Sequence, residues 1–440
     1  MRHLILLFLV FSTAHGLRAQ TQKDDPKVTE LVMSMSQRSL VMPGYLTDLK
    51  ALIARQAYNF WKEGNVDPYV SHLNVYQALY EANKFLGYDS ARKLAFNQIG
   101  FHANAVTSVV FGEDPNYYYS ASTDGKILRW NINQPKDIPE TIYESDKIIK
   151  SLEISDDGEV LMAIFYQEGL ALVPTSKDFK GDIAILEDPE RVQTATFIPG
   201  ERKYLSVTRE GDLIMKGFNS QADSVGKTAL KINQVKIDPS SGTIYAASEE
   251  GVLEAWEKPY QVKESPVEDI ISEWKEQSYF GYELGSFSIH SLDISPNGQI
   301  LAIGRERGDV ILWNIPGKKL IRIISGHQST VTDVHFSPDG NKLLTTSRDR
   351  TARIWFLSES RKLPIILSDH EDWVLTGSFD PTGKRVITGS GDDYIRHWPV
   401  ANEELASRIC SYLSRDLTKE EWNEFVGRDF NYELTCSDHD

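Results

Sequence analysis

Between residues 91 and 400 the chain alternates short apolar runs with turn residues at a nearly constant period. Runs such as Gly125-Lys-Ile-Leu-Arg-Trp130 and Gly308-Asp-Val-Ile-Leu-Trp313 end on an aromatic, and the series continues at Trp256, Trp355 and Trp398. Pro174 and Lys216 hold that position in two weaker copies, giving spacings of 44, 42, 40, 57, 42 and 43 residues. A second apolar landmark stands 19 residues upstream, at Phe111, Phe197, Ile237, Ile294, Phe336 and Phe379, and 20 upstream at Ile154. Turn chemistry follows at once, as in Ser337-Pro-Asp-Gly340, Ser295-Pro-Asn-Gly298, Asp380-Pro-Thr-Gly383 and Ser155-Asp-Asp-Gly158. Proline presets φ and glycine accepts positive φ, so each tetrapeptide predicts a tight hairpin between alternating strands.

Seven copies of a short-strand unit at this period predict an all-β fold, a seven-bladed β-propeller over 91–400 with small helical N- and C-terminal flanks. An outer-strand pattern precedes later copies, at Lys319-Leu-Ile-Arg-Ile-Ile324 and Lys362-Leu-Pro-Ile-Ile-Leu367, and recurs at Lys93-Leu-Ala-Phe-Asn-Gln-Ile99 ahead of the first copy. The last copy, ending at Trp398, has none after it. Residues 91–101 are therefore expected to supply the outer strand of the last blade and close the ring, which removes an open edge. In the N-terminal flank, 20–90, Thr47 is read as the cap of a helix carrying Leu49, Leu52, Ile53 and Phe60, and Asp67-Pro68 opens another with Tyr69, Leu73, Tyr76 and Tyr80. In the tail, 401–440, Asn402–Leu413 is helical and Thr418-Lys-Glu-Glu421 is a capping box. The long interval before Trp313 holds an insertion at about 257–288. It contains Ser265-Pro-Val-Glu268 as a helix start and Tyr279, Phe280 and Tyr282 as aromatic anchors, for a partner or for the side of the fifth blade.

A polar set recurs at fixed intervals: His102, Ser122, Asp124, Trp130; His327, Ser347, Asp349, Trp355; His370, Ser390, Asp392, Trp398. Here the sequence resembles the WD-repeat family, whose blades carry a His-Ser/Thr-Asp-Trp hydrogen-bond chain. A buried indole must place its N–H, and these side chains supply a satisfied relay. The second, third and fifth blades lack most of the set and are expected to be tied less rigidly. Ser, His and Asp also compose hydrolase triads, but a device repeated once per blade with its Trp is structural. The resemblance further implies that the residue before each relay Asp faces a rim: Thr123, Gln167, Arg209, Glu249, Glu306, Arg348 and Gly391.

Composition adds compartment and partner class. The net charge of -16 disfavours a nucleic-acid partner. Met1-Arg2-His3, the apolar run Leu4 to Phe11, and small residues at Ala14, Gly16 and Ala19 read as a secretory leader, residues 1–19, far short of a membrane span. An exported, periplasmic or secreted protein is expected, a bacterial member of the family, with no integral membrane segment. Cys410 and Cys436, the two cysteines of the chain, then predict a disulfide. There is no HExxH, phosphate loop, nucleophile elbow or close metal set, so no metal, cofactor or catalytic residue is assigned. The expectation is a non-catalytic scaffold binding another protein or peptide through Arg348, Trp373, Asp372, Glu371, Gln328 and Arg209, with Tyr279, Phe280 and Tyr282 as a second surface. The alternative is a propeller enzyme or small-ligand sensor using the central channel, which convergent titratable groups there would favour.

Overall fold

The computed structural model describes residues 25–64, 66, 68–86, 97–112, 114–134, 138–166, 168–175, 186–188, 191–218, 222–257, 279–359 and 362–436. The leader, the start of the closing strand at 91–96 and the helix start at 265–268 lie outside them. The chain forms two units, one from 88–401 and one from the two ends of the chain, 1–87 and 402–440.

The first unit is seven four-stranded antiparallel sheets. Naming the strands a to d from the ring centre outward, blade 1 comprises Val106–Phe111, Tyr117–Ser122, Lys126–Asn131 and Glu140–Glu144. Blades 2 to 6 begin with a strands at Ile149–Ile154, Val192–Phe197, Ile232–Ile237, Ile289–Ile294 and Val331–Phe336. Blade 7 takes a, b and c from Val374–Phe379, Arg385–Ser390 and Tyr394–Pro399, and its d strand is Gln98–Phe101. Phe101 stands opposite Tyr394 and Gly100 opposite Ile395, so strands at the two ends of the repeat region close the ring. The a–b hairpins form as their sequences predict. Gly340 takes φ +70 and donates its N–H to the Ser337 carbonyl at 2.8 Å, while Ser337 Oγ accepts from Lys342 N. Tyr279–Glu283, expected as part of an insertion, is the d strand of blade 4, paired with Val252–Trp256. The apolar core lies between blades, as where Tyr245 and Leu253 of blade 4 meet Ile311 and Trp313 of blade 5.

The second unit joins α1 (Pro26–Val41), α2 (Thr47–Glu63) and α3 (Pro68–Leu86) with α4 (Asn402–Tyr412) and α5 (Lys419–Phe425). Helix α1 escaped the sequence reading, although Asp25 caps it by accepting from Lys27 N and Pro26 begins it. Thr47 proves to lie inside the first turn of α2, its hydroxyl donating back to the Gly44 carbonyl at 2.8 Å, because a 3-10 turn at Gly44–Leu46 runs directly into the helix. The Thr418/Glu421 capping box forms in both directions. Asn83 donates to the Leu405 carbonyl, Asn59 to the Thr435 carbonyl, and Phe60 packs on Trp422 and Phe430. The Cys410–Cys436 disulfide, with Cα atoms 5.5 Å apart, fastens the tail to α4.

Candidate functional site

Each relay begins at an indole, buried in blades 1 and 7 and partly buried in blade 6. Trp130 Nε1 donates to Ser120 Oγ at 2.7 Å, Trp355 Nε1 to Thr345 Oγ1 at 3.0 Å, and Trp398 Nε1 to Thr388 Oγ1 at 2.8 Å. The same oxygens meet the Nε2 atoms of His102, His327 and His370, each at 2.7 Å. The Nδ1 atoms face Asp124 at 3.0 Å, Asp349 at 2.9 Å and Asp392 at 3.3 Å. The relay hydroxyl is therefore not Ser122, Ser347 or Ser390, as the spacing suggested, but the residue two positions earlier. Side chains two apart on a strand share a face, so either could be read from sequence. Tyr118 stands opposite Trp130, which places Ser120 beside the indole and Ser122 at the strand's end. There Ser122 accepts from Asp124 N and donates to the Asn104 carbonyl, closing the b–c turn; Ser347 and Ser390 do the same.

Donor logic fixes the proton order. In blades 1 and 6 the hydroxyl accepts from the indole and donates to Nε2, leaving Nδ1–H to donate to the carboxylate. In blade 7 Arg396 Nη1 lies 2.7 Å from both His370 Nδ1 and Asp392 Oδ2. An arginine only donates, so Nδ1 accepts there and Nε2–H points at Thr388. Burial outweighs the facing carboxylate and pushes all three imidazoles below their ordinary range, while imidazole and backbone donors hold Asp124 and Asp349 low, and the Glu371 amide and Arg396 hold Asp392 low, against the cost of burial. The groups are thus a neutral imidazole and an ionised carboxylate at neutral pH.

Blade 5, expected to be loosely tied, carries a different clasp. Buried Arg305 occupies the position of the turn serines and makes a bidentate pair with Asp309, while its third nitrogen donates to the Leu284 carbonyl at 2.6 Å.

The relays also set the rim. Asp349 Oδ2 accepts from Gln328 N, and Asp392 Oδ2 from Glu371 N, both at 3.0 Å, so each relay carboxylate pins the loop entering its own blade. Arg348 N donates to the Thr330 carbonyl and Gly391 N to the Trp373 carbonyl. The Arg348 guanidinium lies 4.8 Å from the centre of the Trp373 ring, and that ring is 49% exposed. Arg348, Trp373, Asp372, Glu371 and Gln328 therefore share the rim of blades 6 and 7, whereas Arg209 stands on blade 3. In blade 2 the b–c turn is one residue longer, so Tyr166 rather than Gln167 makes the rim bond, to the Ile148 carbonyl. Tyr282 packs its ring 4.9 Å from that of Trp313 and is half-buried, which makes it part of the wall between blades 4 and 5. The side chains of Tyr279 and Phe280 lie outside the description.

The sequence reading missed the channel. Strand a of one blade makes no ladder with strand a of the next, so its inward amides and carbonyls need side-chain partners. Ser108 donates to the Leu152 carbonyl; Glu153 accepts from Phe197 N, Asp293 from Phe336 N and Asp333 from Gly377 N. Lys236 reaches across to Glu153 at 2.7 Å, and His335 Nε2 meets Asp333 at 3.2 Å. Burial opposes charge on His335, but Asp333 and Asp293 lift it to about 9. Lys150 donates to the Gln193 carbonyl, and burial with Arg209 nearby lowers it to about 8. Polar residues inside otherwise apolar inner strands were the available signal. Among the described residues no cluster of three or more His, Cys, Asp or Glu is placed to hold a metal ion.

The family description "WD domain, G-beta repeat" matches residues 96–131, 318–355 and 361–399, which end on the three complete relays. The chain is similar to a WD repeat-containing protein WDS homolog of Arabidopsis thaliana, 26% identical over 34% of this chain and 29% of that protein. It is 22% identical to the Target of rapamycin complex subunit LST8 of Rattus norvegicus over 56% of this chain and 73% of that one. Apoptotic protease-activating factor 1 of the same species is 23% identical over 58% of this chain and 19% of its own length. The chain thus spans less than a third of the first of these relatives and about a fifth of the last. Proteins of this kind are mostly non-enzymatic interaction scaffolds. Seven closed blades, three complete relays and these matches together make the chain a seven-bladed β-propeller that carries WD40 repeats.

Proposed function

We propose that this protein is a non-catalytic scaffold of the cell envelope that binds a protein or peptide partner on the rim of blades 6 and 7. The carrying observation is the Arg348–Trp373 stack, an exposed aromatic and cation held on loops that Asp349 and Asp392 pin from below. Such pairs are typical interface anchors, rigid before the partner arrives. The relay His, Ser/Thr and Asp side chains are consumed in holding blades, which supports a role without chemistry. The leader-like N-terminus and the disulfide support export to an oxidising compartment. Capture with the mature protein from its own envelope fraction identifies the partner, and Arg348→Ala with Trp373→Ala then weakens that complex by about 2 kcal/mol or more. Undiminished affinity of the double variant refutes the rim reading.

The convergent charges of the channel favour a small-ligand sensor as a second reading. Against it, Glu153, Asp293 and Asp333 each already accept an amide of the next blade. Ligand-induced protection confined to the channel strands, with the rim variant binding normally, would favour it over the scaffold.

A further inference from the structure

The outer strand of a blade leaves one row of backbone N–H and C=O groups unpaired, and most blades blunt that edge. The d strands of blades 2, 6 and 7 are short, Leu186–Asp188, Ile365–Leu367 and Gln98–Phe101. That of blade 1 begins at Glu140 and ends at Glu144, that of blade 3 ends in Gly226 and Lys227, and that of blade 4 ends at Glu283. Blade 5 differs. Its d strand, Lys319–Ser325, runs for 7 residues, reads Lys-Leu-Ile-Arg-Ile-Ile-Ser and lies outermost in its sheet. Leu320, Ile321 and Ile323 are 50%, 46% and 48% exposed. A long, apolar, open edge is a template for a further strand.

The register sorts the side chains of this edge by face, because cross-strand partners share one. Leu320 stands opposite Trp313 and Ile323 opposite Ile311, whose side chains pack toward blade 4. Lys319 stands opposite Asn314 and Arg322 opposite Leu312, and Leu312 packs toward blade 6. The register shift between Leu312 and Trp313 brings this about, since residues three apart on a regular strand would fall on opposite faces. One face of the edge is therefore apolar and the other basic. Between Asp309 and Asp333 the chain holds no acidic residue, although it carries 63 in all. Glu257 pairs with Lys318, just before the strand, whereas Lys319 and Arg322 have no carboxylate partner among the described residues. Arg322 lies back on blade 6, one nitrogen 3.4 Å from the Leu357 carbonyl, and the rest of its fork is left for an acceptor beside the edge. Scattered lysines guard many edges against pairing. Here the two charges keep to one face and leave the other apolar, so they select an incoming strand by its charge. A strand that alternates carboxylate and apolar residues has the matching faces, because successive side chains point to opposite sides. A second copy of this edge would bring lysine and arginine against their like, which disfavours self-pairing. We propose that the outer edge of blade 5 accepts an extended segment of a partner protein as a fifth strand, one alternating acidic and apolar residues, with its carboxylates toward Lys319 and Arg322 and its apolar side chains on Leu320 and Ile323.

The test needs no knowledge of the rim partner. Two synthetic heptapeptides are added to the full chain, one alternating glutamate with valine and the other lysine with valine. The glutamate peptide at saturation should slow exchange of the outward amides of Lys319–Ser325 by about tenfold or more, and the lysine peptide should leave it unchanged. Lys319→Glu with Arg322→Glu should reverse that preference, and Leu320→Lys with Ile323→Lys should abolish protection by either peptide. Both variants should melt with the parent, because none of the four side chains is buried. In the unaltered chain, protection by the glutamate peptide should also weaken as salt is raised, a reading that depends on no substitution. Equal protection by the two peptides, protection by neither, or outward amides already slow in the chain alone because its own residues or a second copy cover the edge, overturns the proposal.

Discussion

Thr388→Val removes one oxygen from the closing blade and keeps the outline of the side chain. Thr388 and Trp398 are fully buried and His370 is 5% exposed, so water cannot replace what is lost. The Trp398 N–H and the His370 Nε2–H both lose their acceptor, and each orphaned buried donor costs about 1–3 kcal/mol. The expected loss is therefore about 2–6 kcal/mol, a large share of a typical domain's stability. Two controls fix the reading. Thr388→Ser keeps the hydroxyl, as Ser120 does in blade 1, and should lose about 1 kcal/mol for a buried methyl. Ser390→Ala removes the turn bonds to the Asp372 carbonyl and Asp392 N and should also cost about 1 kcal/mol. Urea unfolding followed by tryptophan fluorescence measures the differences, and hydrogen exchange over Tyr394–Pro399 localises them. A Ser390→Ala loss equal to that of Thr388→Val, or no rescue by serine, would refute the assignment of Thr388 as the relay hydroxyl.

Three further outcomes are expected. Deleting Gln98–Phe101 leaves the outer edge of the c strand of blade 7 unpaired and should broaden ring unfolding, and a transition as sharp as the parent's would show closure by another route. Opening the Cys410–Cys436 link by Cys436→Ser should lower the stability of the helical unit by about 3.5 kcal/mol, read by melting against the oxidised parent. The pH profile should fall on both sides. His102, His327 and His370 are lowered in the folded state, so the unfolded chain binds protons first and stability is lost as pH drops below about 6.5. His335, raised to about 9, contributes stability that is full below about 6.5 and lost as pH rises; between there and 8, where Lys150 begins to act oppositely, His335→Gln should flatten the curve.

Blade count, hairpins and ring closure were legible because they rest on local chemistry, such as Pro338 and Gly340 in a turn, repeated often enough to be unmistakable. The relay was legible in its spacing but not in its hydroxyl, since Ser120 and Ser122 share a face and only the position of the Trp130 ring separates them. The blade 5 clasp was hidden because Arg305 and Asp309 do the same work with different atoms. The channel groups were missed for another reason: Glu153 and Lys236 lie 83 residues apart, and only the curvature of the ring brings them to one axis. Of the candidate rim, Arg348 and Trp373 come together through adjacent blades, while Tyr282 was misread because an aromatic in an outer strand looks like an anchor until its neighbour is known.

That both units are finished by the last stretch of the chain sets an order on biosynthesis. Helices α1 to α3 leave the ribosome, or the far side of a translocation pore, long before α4, α5 and Cys436 exist to complete their packing. Gln98–Phe101 likewise waits, as a bare strand, for Tyr394–Pro399. For most of its synthesis the nascent chain therefore exposes an unfinished helical face and an unpaired β edge, and a ribosome stalled before residue 394 would release neither unit complete.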